Sequence, residues 1–287
     1  MSTCYLNGVF LPLADARISV LDRGFLFGDG IYEVIPVYRG GMFHFDAHIE
    51  RLERSLKAIR IENPLSPEAW RELAEELIQG NGGGERSVYL QVTRGVAKRD
   101  HRFPVGVPAT VFAMCEPRDL PSYQGLPEVA AITCEDVRWK LCEIKAITLL
   151  PNVLLRQQAA DVGASEAILI RDDIVTEGTA SNVFVVSDGV VTTPPKSPHL
   201  LPGITRDLVL EILRDNGIPA HEAEVPSSAL RGADEIWLTG SLREISLVTE
   251  LNGAAVGTGK AGPLGQRMFT LFEAYKARAI AEIARES

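Results

Sequence analysis

The sequence predicts an α+β fold in two halves, in which antiparallel hairpins alternate with helices. Segments with apolar residues at helical spacing lie between short strands, and they do not form a regular strand–helix–strand series. The strands are joined by tight turns rich in glycine and aspartate. These turns are predicted at Gly8, 40–41, 172–173 and 188–189.

In the first half, a hairpin is followed by further strands and two helices. Apolar residues at positions 49, 52, 56 and 59 have helical spacing, which predicts an amphipathic helix. Ser66 before Pro67 is a typical helix N-cap with proline in the first turn. The second helix then carries Trp70 and ends in the glycine cluster 82–84. The predicted strands are 4–7, 9–11, 31–38, 42–45, 86–94 and 109–115.

A proline-rich segment separates the two halves. Pro117, Pro121 and Pro127 fall within twelve residues, which favours an interdomain linker. We therefore predict a smaller N-terminal domain over 1–118, a linker over 119–127 and a larger C-terminal domain over 128–287. In the second half, strands are predicted near 128–137 and at 166–170, 182–187, 190–193, 235–239 and 247–251. Helices are predicted from 151 to 163, after Gly203 and around 264–284.

Composition excludes several classes of function. The chain has 287 residues, of which 46% are hydrophobic and 23% charged, as in a globular protein with a sizeable core. Its formal net charge of -9 disfavours binding to nucleic acid or to anionic membrane surfaces. The sequence has neither a signal peptide nor a long apolar run, so we expect a cytoplasmic protein.

Motifs for metals, nucleotides and serine nucleophiles are missing from the sequence. The four cysteines are scattered without a CxxC pair, and no HExxH is present, so no metal site is expected. There is neither a Walker A loop nor a GxSxG elbow, and the glycine run NGGGE lacks the spacing of a dinucleotide-binding loop.

Lys145 is the most informative candidate for catalysis. It lies in CEIKAITLLPN, between Ile144 and Ala146. Burial in such apolar surroundings lowers the pKa of a lysine, and enzymes tune reactive lysines from ~10.4 to roughly 7–8. A neutral amine attacks a carbonyl carbon to form an imine. Taken alone, the segment also fits a surface lysine whose stem packs on apolar neighbours.

Three further stretches complement this lysine. Glu177, in VTEGTASNVF, could hold a protonated ring nitrogen, or it could be a solvated turn residue. Gly203 precedes a helix, so the amides of Ile204 and Thr205 could bind a phosphate, or they could simply begin the helix. Arg51, on the first amphipathic helix, could bind an anion or be a solvated charge.

Together these stretches resemble the fold-type IV family of pyridoxal phosphate enzymes, from about residue 5 to about residue 275. The closest resemblance is to the D-amino acid aminotransferases. It is carried by DRGFLFGDGIYEV, by QVTRGVAKRDHRFP and by VRWKLCEIKAITLLPNVLLRQQA, which contains Arg138 and Lys145. The resemblance implies a two-domain α+β fold with antiparallel-rich sheets, a barrel and surrounding helices. It also implies a homodimer.

The resemblance assigns roles to individual residues. Lys145 would form the Schiff base with pyridoxal 5'-phosphate, and Glu177 would keep the pyridine nitrogen protonated. Arg51 would bind the phosphate together with the amides of Ile204 and Thr205 and the Ser241 region. Tyr32, Arg99 and His101 would bind the substrate carboxylate. The implied reaction transfers an amino group between a D-amino acid, such as D-alanine or D-glutamate, and 2-oxoglutarate or pyruvate.

The sequence leaves open the roles of some positions and the choice between several functions. Leu242 and Arg243 stand where many relatives have small residues, and Lys98 beside Arg99 could favour acidic donors. Within the same family, the alternatives are a branched-chain L-aminotransferase, an R-selective amine transaminase and an aminodeoxychorismate lyase. A cofactor-binding protein without turnover is the alternative outside enzymes.

Overall fold

The computed structural model of the protein describes residues 2–118 and 126–286. Within these residues the chain forms two compact units. Unit 1 comprises residues 2–118, 144–148 and 279–286, and unit 2 comprises residues 126–143 and 149–278. Thus a short lysine-bearing segment groups with the first half of the chain. The predicted domain limits stay a prediction, and most of the linker predicted over 119–127 lies outside the described residues.

Unit 1 is built on an antiparallel sheet. Its strands are β1 (Thr3–Leu6), β2 (Val9–Pro12), β3 (Gly30–Tyr38), β4 (Gly41–Met42), β5 (Arg86–Thr93) and β6 (Thr110–Pro117). They form one six-stranded sheet in the order β2-β1-β6-β5-β3-β4. The helices are α1 (Arg23–Phe27), α2 (Phe45–Ala58) and α3 (Pro67–Gly80). A 3-10 turn covers Leu13–Asp15.

The core of unit 1 explains its two long helices. Leu52 and Leu56 of α2 and Trp70 and Leu77 of α3 are at most 1% exposed, and they belong to one cluster with the inward side chains of β3 and β5. The Ser66 hydroxyl caps α3 by accepting from the Ala69 amide, as predicted. The strand predicted over 42–45 is wrong beyond Met42, because residues 43–44 form a turn and α2 begins at Phe45.

Unit 2 contains a larger, mixed sheet. Its strands are β7 (Glu128–Glu135), β8 (Glu166–Arg171), β9 (Ile174–Gly178), β10 (Asn182–Ser187), β11 (Val190–Thr193), β12 (Ala220–Glu222), β13 (Glu235–Gly240), β14 (Glu244–Leu251) and β15 (Ala254–Ala255). Eight strands follow the order β12-β11-β10-β13-β14-β7-β8-β9, and β15 pairs with β14. The helices are α4 (Leu150–Asp161), α5 (Ile204–Asp215), α6 (Ser227–Arg231) and α7 (Pro263–Glu286).

Most pairings in this sheet are antiparallel, as predicted, but three are parallel. β7 pairs in parallel with β8 and with β14, and β11 pairs in parallel with β12. Helices α4 and α5 provide the crossovers between β7 and β8 and between β11 and β12. These elements confirm the α+β class. The sequence did not predict α1, α6 and β12, because three to five residues are too short to show a period.

Two further findings concern membranes and metals. In the described part of the chain, none of the helices combines the length and the hydrophobicity that crossing a bilayer requires. Over the same residues, no group of three or more histidine, cysteine, aspartate or glutamate side chains is arranged to hold a metal ion.

Candidate active site

Lys145 is held in unit 1 by its main chain. Its amide donates to Ser55 Oγ at 3.2 Å, and its carbonyl accepts from the Tyr32 amide at 3.0 Å. Its side chain is half-buried, and the amine lies 4.3 Å from the centroid of the Tyr32 ring. Tyr32 in turn stacks on Tyr89, with ring centroids 5.7 Å apart. The structure therefore brings two of the predicted site residues, Lys145 and Tyr32, together.

Arg51 is buried and takes part in an ion pair with Glu33 of β3. Its Nε donates to Glu33 Oε1 at 2.7 Å and its Nη2 donates to Glu33 Oε2 at 2.9 Å. His48 Nδ1 lies 2.9 Å from the same Oε2. Glu33, His48 and Arg51 are all at most 3% exposed. Arg51 is thus not the solvated helix charge that the sequence left open, and Glu33 fixes the plane of its guanidinium.

The charges in this cluster follow from its geometry. Although burial opposes it, the Arg51 charge and the hydrogen bonds from Arg51 and His48 hold the pKa of Glu33 well below its usual range. Burial lowers the pKa of His48, although the hydrogen bond to Glu33 and the charge of that carboxylate oppose the shift. A neutral His48 facing an ionised carboxylate has its proton on Nδ1, which then donates to Glu33.

Arg99 and His101 lie in the loop between β5 and β6, and both are exposed. They flank Phe27: the Arg99 guanidinium carbon is 5.3 Å from the Phe27 ring centroid, and the His101 ring centroid is 5.6 Å from it. The loop is anchored at its start, where Arg94 pairs with Asp29 through two nitrogens at 2.8 and 2.9 Å. The predicted carboxylate-binding pair therefore sits on a tethered loop.

Arg23 adds a second tether to this loop. It is buried at the start of α1, donates from Nε to Asp29 Oδ2 at 2.7 Å, and donates from Nη1 to the carbonyl of Asp100. Since Asp100 lies between Arg99 and His101, this contact holds the loop main chain between the two predicted substrate-binding side chains. The glycine- and aspartate-rich signature at 22–30 thus shapes the loop through Asp29 and Arg23.

Glu177 lies in unit 2, near the end of β9, and is buried. Its Oε1 accepts from Arg138 Nη1, and its Oε2 accepts from the Leu201 amide at 3.0 Å and from Asn182 Nδ2 at 3.4 Å. Burial raises the pKa of Glu177 to about 7, while the Arg138 charge and the bond from Leu201 act in the opposite direction. It is therefore not a solvated turn residue.

Arg138 divides its hydrogen bonds between two carboxylates. Its Nε and Nη2 each donate to Asp136 at 2.9 Å, and Nη1 donates to Glu177. Asp136 also pairs with Arg171 at 3.1 Å and accepts from the Thr176 hydroxyl at 3.0 Å. These two carboxylates raise the pKa of Arg138 above its usual value, although burial opposes them, so the guanidinium is charged.

Ile204 and Thr205 occupy the first turn of α5, as predicted. The N-cap is Gly203, which has no side chain that could cap the first amides. A Cβ at Gly203 would lie 2.0 Å from Asn182 Oδ1, so only glycine allows the chain to pass this side chain. The helix therefore begins with amides that its N-cap residue leaves uncapped, a positive dipole end and a close main-chain approach, which together suit an anion.

Ser241 and Arg243 lie in the turn between β13 and β14, and both are half-buried. Arg243 Nη2 is 3.7 Å from Oε2 of the buried Glu166. Glu166 also accepts from the Thr179 amide at 3.1 Å and from Ser181 Oγ at 2.9 Å. The unexpected charge of Arg243 thus faces a buried carboxylate that holds the turn between β9 and β10.

Comparison with known proteins identifies the family. The amino-transferase class IV family matches residues 30–251. The chain belongs to this family. As a class IV aminotransferase it is 39% identical over 267 residues to a D-alanine aminotransferase of Bacillus licheniformis, covering 93% of this chain and 94% of that protein. It is also 39% identical to a D-alanine aminotransferase of Staphylococcus aureus (strain MW2), over 96% of this chain and 98% of the relative.

Solved structures show the same fold. The Escherichia coli branched-chain amino acid aminotransferase superposes with a TM-score of 0.88 at 25% identity, over 95% of this chain and 94% of that one. A second branched-chain amino acid aminotransferase, from T.th. and complexed with N-(5'-phosphopyridoxyl)-L-glutamate, also has a TM-score of 0.88, at 27% identity. That alignment covers 96% of this chain and 95% of the other. These findings confirm the resemblance to fold-type IV enzymes and the fold class predicted from the sequence.

Several partner residues in this class IV aminotransferase were not predicted from its sequence. Arg171 and His48 pair with carboxylates 35 and 15 positions away, whereas Asp136 lies two positions from its partner Arg138. One signal was present: Glu33 is an acidic residue within the apolar strand segment IYEVIPVY, and a carboxylate in such a position needs a buried partner.

Proposed function

We propose that this enzyme transfers an amino group from a D-amino acid, such as D-alanine or D-glutamate, to 2-oxoglutarate or pyruvate, with pyridoxal 5'-phosphate as cofactor. The near full-length likeness to D-alanine aminotransferases carries the assignment of the donor. The class IV family and the phosphopyridoxyl compound in a structural relative support the cofactor. Nothing in the proposed chemistry requires nucleic acid, a membrane or a metal.

The polar groups of the chain fit such a cofactor. The half-buried amine of Lys145 suits an aldehyde carbon, and the buried carboxylate of Glu177 suits a protonated ring nitrogen. A carboxylate offers about four acceptor positions, and the described contacts of Glu177 use three of them, which leaves one for an N–H donor. The phosphate would be held by Arg51, by the amides of Ile204 and Thr205, and by the Ser241 region.

Each residue then has a defined task. When bound, the cofactor acts as an electron sink for the bond that breaks at the substrate α-carbon. Lys145 Nζ takes the proton from the α-carbon of the amino donor. In the second half of the reaction it delivers a proton to the α-carbon of the 2-oxo acid. Glu177 keeps a proton on the ring nitrogen. Arg51, whose orientation Glu33 fixes, neutralises phosphate charge.

Tyr32, Arg99 and His101 are proposed to bind the substrate α-carboxylate. A guanidinium donates two parallel hydrogen bonds to a planar carboxylate, and the tyrosine hydroxyl and histidine ring supply further donors. Fixing the carboxylate on one side determines which face of the α-carbon Lys145 meets. Donor stereochemistry then depends on these three residues together with the lysine.

Replacing Arg99 with alanine is expected to reduce kcat/KM for D-alanine roughly 10- to 100-fold, because a charge-assisted hydrogen bond to a carboxylate is lost. An R-amine without a carboxylate should be affected little. Initial rates with both donors measure the difference. Arg102→Ala removes an exposed arginine of the same loop, paired only with Asp100 in the described contacts, and serves as the matched control. Equal losses for both donors would refute the assignment of Arg99.

We also propose that two copies of the chain form a homodimer. The exposed face of α4 carries Leu150, Val153 and Leu154, which are 68%, 60% and 57% exposed. Apolar residues of this kind at helical spacing are typical of a subunit interface. Arg99 and His101 are exposed in the single chain, which suits a loop that serves the partner's site. Sedimentation over a range of concentrations tests this, and a fully active monomer would contradict it.

A donor screen tests the function as a whole. The holoenzyme is offered D- and L-amino acids and R-amines without an acceptor, and the change in cofactor absorbance is followed. D-alanine and D-glutamate should react, and their relative rates show whether Lys98 favours acidic donors. The structural likeness to branched-chain aminotransferases supports one second candidate, so consumption of L-leucine without D-alanine would replace the D-amino acid assignment.

We place the enzyme in the cytoplasm, where thiols remain reduced. Cys4, Cys115, Cys134 and Cys142 are all free thiols, and three of them are buried. Fractionation of cells that make the protein, followed by detection with a specific antibody, would show a different location if this is wrong.

A further inference from the structure

Unit 2 contains a row of four buried or half-buried charges that alternate in sign. It runs from Glu177 through Arg138 and Asp136 to Arg171, with ion pairs at each step. Among the described contacts of this row, Arg138 is the arginine that contacts two carboxylates, and it gives two of its three nitrogens to Asp136. Its hydrogen bonds to carboxylates are therefore shared, and Glu177 accepts one of the three.

The position of Arg138 is fixed by more than its ion pairs. Its Nη2 also donates to the His199 carbonyl at 3.2 Å, and its own carbonyl accepts from Arg171 Nη2 at 2.9 Å. The other oxygen of Glu177 is held from a different direction by the Leu201 amide. Neither the guanidinium nor the carboxylate can rotate without breaking several of these contacts.

Burial and charge oppose each other at Glu177. Burial favours the protonated carboxyl, which would leave a ring nitrogen without an anionic partner. The Arg138 charge favours the carboxylate, while Asp136 acts against it. Arg138 and Asp136 therefore have opposite effects on the ionisation of Glu177.

We propose that Arg138 is a positioning residue that keeps Glu177 ionised and oriented, and that Asp136, which shares the guanidinium, opposes this effect. The inference rests on the proposed function, since it takes Glu177 as the partner of the cofactor ring nitrogen. Arg138 acts through Glu177 and has no part in the proton transfer at Lys145. The pair Asp136–Arg138 thus sets how tightly a proton is held on the ring nitrogen.

The test uses the holoenzyme loaded with pyridoxal phosphate that carries 15N at the ring nitrogen, without substrate. The 15N chemical shift distinguishes a protonated from an unprotonated ring nitrogen, independently of activity. We expect Arg138→Gln to move the resonance toward the unprotonated position. Arg138→Lys keeps a positive charge, but an ammonium cannot contact both carboxylates as the guanidinium does. We therefore expect an intermediate 15N shift. This variant replaces Arg138→Gln if that protein does not fold.

Asp136→Asn should not move the 15N resonance toward the unprotonated position, in contrast to Arg138→Gln. Without the negative charge of Asp136, the Arg138 guanidinium pairs with the carboxylate of Glu177 alone and favours its ionised form. The ring nitrogen should therefore stay protonated. Loss of packing alone would move the resonance in the same direction in both variants. Arg94→Lys makes the matched change in a buried aspartate-paired arginine of unit 1 and should leave the shift unchanged.

The outcomes separate this inference from the proposed function. If Glu177→Gln moves the resonance and both Arg138 variants leave it at the wild-type position, the role of Arg138 is overturned and the proposed function stands. If Asp136→Asn shifts the resonance as far as Arg138→Gln does, a merely structural role is indicated and the inference also fails. If the wild-type protein binds no pyridoxal phosphate, the proposed function itself fails.

Discussion

Replacing Lys145 with alanine is expected to lower the rate of amino-group transfer by a factor of about 10⁴ or more, because one side chain supplies both the covalent attachment and the proton transfer. The fold should survive the change. The contacts of Lys145 to Ser55 and Tyr32 run through its main-chain amide and carbonyl, which alanine retains. Initial rates at saturating cofactor measure the loss.

Hydride reduction of the holoenzyme identifies the attachment site directly. In the wild-type protein, the peptide that contains Lys145 should gain the mass of the reduced cofactor, whereas Lys145→Ala should show no adduct at this position. Lys140→Ala removes an exposed lysine five residues earlier and serves as the matched control, with an unchanged rate and adduct. A Lys145→Ala enzyme with near wild-type turnover would refute the assignment of this lysine.

Local signals in the sequence were sufficient to predict the two long helices of unit 1. The period of α2 and the N-cap of α3 predicted both helices, because their buried faces and caps depend on residues within a few positions of one another. Turn residues at 172–173 and 188–189 likewise predicted the hairpins β8–β9 and β10–β11. The parallel pairing of β7 with β8 could not be predicted in this way, because helix α4 separates the two strands in the sequence.

The candidate site was predicted as single residues, and its networks were not. Arg51 was expected on a helix as an anion-binding or solvated charge, yet its conformation depends on Glu33, eighteen positions away on another element. Glu177 fitted a turn, but it lies on β9 with its charge governed by Arg138, thirty-nine positions earlier. Ion pairs between distant elements leave no periodic signal, because either partner alone resembles a surface charge.

Replacing Glu33 with glutamine is expected to reduce the free energy of unfolding by about 3–5 kcal/mol, the usual cost of removing one partner from a buried ion pair. Glutamine keeps the volume of the side chain, so no cavity explains the effect. Arg51 would keep its charge without the carboxylate that balances it. Denaturant unfolding of the apo protein at neutral pH measures the change. Glu50→Gln, on the exposed side of α2, is the matched control, since its pair with Arg54 lies at the surface.

The dependence of this difference on pH distinguishes charge from packing. Arg51 and His48 hold the pKa of Glu33 in the folded chain below the ordinary value, which is about 4.3 in an unfolded chain. A depressed carboxyl pKa stabilises the fold fully above the unfolded value, and this contribution is lost as the pH falls toward the folded value. The gap between the wild type and Glu33→Gln should therefore be constant near neutrality and narrow progressively below about pH 4. A gap that stays the same down to the acid limit of folding would assign the loss to packing, and the ionised Glu33–Arg51 pair would then not be what holds the guanidinium in place.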